Sequence, residues 1–167
     1  MKTIKKTIAI LSLVLLTFSC SKDDSPDPIV PPPTAANTNF IRCTVDGVPY
    51  EITGNQVYNY KDAAGFNIAF NNTVLNTGID MAIKGVPAVR TYTCNSSNYT
   101  TVGRLQYQTP DTTYTTAFCS GDTGIVTITS VNGNTIEGTF NFTCRGIAMC
   151  HLAAKVITNG TFKITYR

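Results

Sequence analysis

The sequence predicts an all-β domain, an antiparallel β-sandwich of about ten strands, with a closed or partly open β-barrel as the other arrangement. Three observations predict it. No stretch after residue 20 places apolar residues at helical spacing. Thr, Asn, Gly, Val, Ile, Tyr and Phe dominate, in short runs where apolar and polar residues alternate. Clusters of Asn, Asp and Gly split these runs at short intervals.

In chain order, Phe40–Val45 and Tyr50–Thr53 read as strands around an Asp46-Gly47 turn. Gln56–Tyr60 and Phe66–Asn71 flank a turn at Asp62–Gly65. Ile79–Lys84 follows a turn at Asn76–Gly78. Val89–Cys94, Arg104–Gln108 and Tyr114–Cys119 are the next candidates, and Gly121–Gly124 is the next turn. Gly124 to Cys144 carries the clearest pattern. Val126 and Ile128 alternate with Thr127 and Thr129, and Asn132-Gly133 marks a hairpin because it tolerates positive φ. Ile136, Gly138, Phe140, Phe142 and Cys144 then share one face, and Glu137, Thr139, Asn141 and Thr143 the other. A period of two sends the first set to the core and the second to water. Leu152–Thr158 and Phe162–Arg167 are separated by Asn159-Gly160, a turn or bulge signal. Period two serves a sandwich and a barrel equally.

Ahead of this domain stands a different kind of sequence. Lys2, Lys5 and Lys6 precede an apolar run from Ile8 to Phe18. A membrane-spanning helix needs roughly 20 such residues, so this run reads as a secretory signal. Ser19-Cys20 closes it and resembles the cleavage site of a bacterial lipoprotein, although Thr17 stands where Leu is usual. The resemblance implies a signal peptide over 1–19 and lipidation of Cys20. Each buried CH₂ contributes about 0.8 kcal/mol, so two or three acyl chains hold the protein firmly in a membrane. Ser21, Lys22, Asp23 and Asp24 resemble the short acidic export signal of Bacteroidota-type lipoproteins, which implies an outer-membrane location facing the cell exterior. Residues 20–38 include Pro26, Pro28, Pro31, Pro32 and Pro33 and read as an extended stalk. A single domain over 39–167 follows.

Loss of the three signal lysines leaves ten bases against ten acids. A chain of zero formal charge with no basic run lacks the positive face that nucleic acid requires. No pattern calls for a cofactor. The partners this leaves are the membrane, through the lipid, and a protein or glycan at the cell surface.

With Cys20 assigned to lipid, five cysteines remain in an oxidising compartment, an odd number. Cys144 and Cys150 bracket a short loop and form the first candidate pair. Cys94 and Cys119 end two candidate strands and form the second. Cys43, alternating with Ile41 and Val45, is then the free thiol. Met149, Cys150 and His151 carry ligand chemistry for copper or zinc, but no second Cys or His pair stands at finger spacing. His151 is the sole histidine, and no nucleophile-elbow pattern surrounds a serine. A hydrolase using carboxylates or His151 is the weakest of three readings. Without tryptophan, sugar stacking falls to eight tyrosines, and the stretch from Tyr92 to Thr116 is rich in Tyr, Thr, Ser and Asn. The strongest reading is a non-catalytic domain for binding or envelope assembly. A barrel carrier of a small apolar ligand is the alternative.

Val45-Asp46-Gly47, Gly124–Thr129, Ile136-Glu137-Gly138-Thr139-Phe140-Asn141-Phe142 and Ile157–Phe162 resemble a family of small Bacteroidota lipoproteins carrying a domain of the DUF6252 type. The likeness covers most of 40–167. It implies the β fold and the envelope location, and no catalytic residue.

Overall fold

The computed structural model describes residues 39–54, 57–62 and 64–166. The expected signal peptide, Cys20, Ser21–Asp24 and the expected stalk lie outside the described residues. Eleven strands are present among those described: β1 (Phe40–Val45), β2 (Val48–Thr53), β3 (Val57–Asp62), β4 (Gly65–Asn72), β5 (Thr77–Lys84), β6 (Thr91–Asn95), β7 (Gly103–Gln108), β8 (Thr113–Thr115), β9 (Thr123–Asn132), β10 (Thr135–Gly146) and β11 (Lys155–Thr165). Every pairing is antiparallel. One sheet runs β2-β1-β11-β10-β9-β6 and the other β3-β4-β5-β7-β8.

β10 belongs to both sheets. Its residues from Thr135 to Cys144 pair with β11, and those from Thr135 to Thr143 with β9. Arg145 and Gly146 then pair with Thr115 and Tyr114 of β8. A long strand that leaves one sheet for the other makes the corner of a sandwich. The result is two sheets joined along one seam, with properties of both arrangements that the periodicity allowed.

Alternation builds the core. Ile136, Phe140, Phe142 and Cys144 of β10 are buried, as are Phe66, Ile68 and Phe70 of β4 and Ile79, Met81 and Ile83 of β5. Burying each such side chain contributes about 1.5–3 kcal/mol. Glycines on the inner faces make room for large neighbours. The Phe162 ring lies over Gly138, the Phe140 ring over Gly160 and the Leu105 side chain over Gly124, each so close that a Cβ would collide. These rings and branched chains occupy the space between the sheets.

Turn chemistry sets the register. Asp46 (φ 51°) and Gly47 (φ 82°) both take positive φ, the requirement of a tight two-residue hairpin loop. Between β9 and β10 the loop is Gly133-Asn134, and Gly133 (φ 56°) is the residue that needs the freedom, not Asn132. Asn159-Gly160 is a bulge, not a turn. Asn159 takes φ 54° and the β10–β11 register slips between Phe140 and Phe142, so the two predicted strands around it are one. The predicted strand Tyr114–Cys119 is cut to three residues, because Thr116 turns back to accept the Leu105 N–H on its Oγ1 at 3.2 Å.

The cysteine pairing differs from both predicted bridges. Cys119 is bonded to Cys150, with their Cα atoms 5.4 Å apart. Cys144 cannot reach Cys150 because β10 continues straight through it to Gly146, which turns its thiol into the core with no exposure. Cys94 faces the core from β6, opposite Gly124, and is likewise buried and free. Cys43 is a buried free thiol.

Candidate functional site: a polar sheet face and a tyrosine cluster

The outward residues of β4, β5 and β7 form three rows across the second sheet. Asn67, Ala82 and Arg104 are one row, Ala69, Asp80 and Gln106 the next, and Asn71, Gly78 and Gln108 the third. In the outer two rows a small central residue sits between longer polar ones. Each of those rows contributes to a cleft. One cleft, of about 290 Å³, is lined by Asn71, Asn72, Thr73, Asn76, Thr77 and Gln108. Every described lining side chain is a neutral amide or hydroxyl. The other, of about 140 Å³, lies at the opposite end of the same strands, with Asn67, Ala82, Lys84, Tyr99 and Arg104 among its walls.

The middle row separates them. The Gln106 amide, oriented to satisfy both neighbours, donates to Asp80 Oδ2 at 3.0 Å and accepts from Arg104 Nε at 3.3 Å. Asp80 Oδ1 is buried without a hydrogen-bond partner. Burial pushes the Asp80 carboxyl above the ordinary carboxylate range, against the opposing pull of the Arg104 charge and an Asn67 hydrogen bond.

Behind the amide cleft, three half-buried tyrosines, Tyr50, Tyr107 and Tyr114, pack against the core. The Tyr50 and Tyr107 rings meet edge to face at 6.1 Å, and Tyr107 and Tyr114 lie tilted at the same separation. The Tyr50 hydroxyl reaches Thr77 Oγ1, part of the cleft lining, at 3.2 Å. Lys155 Nζ stands 5.8 Å from the Tyr114 ring centre and bonds Asp46 Oδ2 at 2.7 Å. That bond raises the Lys155 pKa and lowers the Asp46 pKa. Burial pushes the Tyr50 phenol up to about 12 and raises Tyr107 as well, so both hydroxyls stay protonated at neutral pH. Beneath them, burial pushes the Cys43 thiol to about 12 and raises Cys144 further. A nucleophilic cysteine needs the opposite shift. The tyrosines therefore contribute neutral hydroxyls and aromatic faces, with the Lys155–Asp46 pair beside them.

The sequence-predicted residues distribute unevenly around this face. Of the stretch from Tyr92 to Thr116, Tyr107 and Tyr114 belong to this tyrosine cluster and Tyr99 lines the smaller cleft, while Tyr92 is core. Cys150 has its sulfur committed to the disulfide, which removes it as a metal ligand. His151 and Met149 are exposed beside it, and among the described residues no ion pair joins His151 to a carboxylate. Among the described residues no three His, Cys, Asp or Glu side chains are grouped to hold a metal ion. Asn67, Asn71, Lys84, Arg104, Gln106 and Gln108 escaped the sequence reading. Their signal was present, as long polar residues alternating with core residues on consecutive strands, but it looks like any solvated face until the register aligns the small residues between them.

The fold and this face define an all-β, disulfide-bonded domain with a polar sheet surface. In comparisons with protein-family models, curated proteins and solved structures, nothing matches the chain.

Proposed function

We propose that the chain is a lipid-anchored outer-membrane protein, displayed on the cell exterior within the family of small lipoproteins it resembles, and that its β-domain binds glycan without catalysis. The observation that carries the binding reading is the cleft of about 290 Å³ lined by neutral amides and hydroxyls, linked through Thr77 to protonated tyrosines. A sugar presents hydroxyls that both donate and accept, and amide side chains answer both roles. Tyrosine adds an apolar face with a polar tip. The carrier reading has less support, because aromatic rings seated on glycines occupy the interior where an apolar ligand would sit. The hydrolase reading has less still, since the thiols are held protonated by burial and His151 has no carboxylate ion-pair partner among the described residues.

Two tests address the two halves of the proposal. Metabolic labelling with a palmitate analogue is expected to mark the wild-type chain and to disappear in Cys20→Ala; equal labelling of both defeats the anchor. For the binding half, the detergent-solubilised full chain is titrated with a panel of cell-surface and dietary oligosaccharides. Each lost hydrogen bond costs about 1 kcal/mol, so Asn71→Ala with Gln108→Ala is expected to weaken the best ligand about thirtyfold. An unchanged affinity in that double variant places the ligand elsewhere, and a panel with no ligand defeats the glycan reading.

A further inference from the structure

We propose that the smaller cleft is a subsite for an anionic group, so that the glycan is an acidic one carrying carboxylates or sulfate esters. This inference rests on the glycan reading and narrows it. Among the described residues that line it, the charged ones are Lys84 and Arg104, both cationic and both exposed. Arg104 lies opposite Ala82, and Lys84 is two residues further along β5 on the same face. Diagonal neighbours of this kind are about 7–8 Å apart, within reach of one another's long side chains. Two cations so placed repel unless a negative group lies between them. The four ion pairs among the described residues are Arg42–Glu51, Arg145–Asp122, Lys155–Asp46 and Lys163–Glu137, and neither cation of the cleft takes part. The carboxylate that Arg104 senses, Asp80, is contacted through the Gln106 amide and not directly.

Ala64, Gly65, Ala82 and Gly103 line the cleft with small residues, and at Gly65 and Gly103 the neighbouring strand leaves no room for a Cβ, which would meet the backbone oxygen of Ile83 or Ala82. Gly103 also takes φ 135°, where a side chain is strained. The cleft, of about 140 Å³, has room for a carboxylate or sulfate group. Tyr99 closes one wall with an aromatic surface. From Thr77 in the amide cleft to Lys84 here, β5 runs for about 24 Å at 3.4 Å per residue. A ligand that engages both clefts is therefore an extended chain of several sugar units, neutral at one end of its footprint and anionic at the other.

The test uses the full chain in detergent with length-matched oligogalacturonate, sulfated oligogalactose and neutral oligogalactose, together with free inorganic sulfate. An acidic oligomer is expected to bind at least tenfold more tightly than the neutral one. Arg104→Gln and Lys84→Gln are each expected to erase most of that preference while the neutral oligomer binds as before. Preference for oligogalacturonate identifies carboxylate, and preference for the sulfated oligomer identifies sulfate ester. Equal binding of acidic and neutral oligomers, unchanged in both variants, overturns the subsite and leaves the glycan reading standing. Free sulfate binding that depends on Arg104, with no preference among oligomers, also overturns it by assigning the cleft to small anions. If no oligomer binds the wild-type chain, the glycan reading fails first, and this inference with it.

Discussion

Replacing Cys119 and Cys150 by serine is expected to lower the stability of the domain by about 3.5 kcal/mol. The bond closes a loop across a sequence separation of 31 residues, and the chain-entropy relation gives about that value for a loop of this length. The local structure offers little to replace it. β8 has only three residues, and the chain from Thr116 to Asp122 crosses from one sheet to the other without regular strand pairing. Cys119 Sγ lies 4.0 Å from the Gly146 carbonyl, so the bridge fastens this crossing to the end of β10 at the seam. The far side of the bridge is a turn, held by Met149 N–H to Gly146 O and Leu152 N–H to Met149 O. Urea unfolding of the wild type, the double serine variant and the reduced wild type measures the effect. Reduced wild type and variant are expected to agree. A midpoint unmoved by reduction, or a Cys144–Cys150 peptide in a non-reducing map, defeats the argument.

The same bridge shows what the sequence could and could not convey. Strand existence, the core face of β10 and the Asp46-Gly47 hairpin were legible because period two and positive φ are local properties. The disulfide was not. Cys144 and Cys150 look adjacent along the chain, but a strand that continues past Cys144 commits that thiol to the core. Only the switch of β10 from β9 to β8 brings Cys119 to Cys150, and no local pattern announces where a strand changes sheets. The polar face was half legible for a related reason. Asn67, Asp80 and Gln106 each read as ordinary outward residues, and their grouping depends on the β4-β5-β7 register. Asp122 does end a turn, its N–H bonded to the Cys119 carbonyl, but nothing local announced that it is only 1% exposed.

That burial underlies the second large effect. Arg145→Met is expected to cost about 3 kcal/mol, the lower end for breaking a buried ion pair, because the Arg145 side chain retains some exposure. Asp122 Oδ2 accepts the Arg145 backbone N–H at 2.7 Å, and Oδ1 pairs with the guanidinium of the same residue. The carboxylate thus holds both the main chain and the side chain of Arg145, at the residue where β10 begins to pair with Thr115. Removing the guanidinium leaves a buried charge with one fewer partner. Removing the carboxylate as well, in Asp122→Asn with Arg145→Met, keeps a hydrogen-bond acceptor for the backbone N–H and leaves no charge behind. The double variant is therefore expected to be more stable than Arg145→Met alone, which a merely additive pair would not be. Thermal unfolding at neutral pH reads this directly, with the single variant falling by roughly 10 °C and the double variant recovering part of it. A double variant as unstable as the sum of the two single changes would show that the two residues act separately and that the seam is held by the disulfide. Because the bridge and the ion pair fasten the same crossing from Thr116 to Asp122, breaking both should cost less than the sum of breaking each. Once the first is gone, the freed segment no longer holds the second in place.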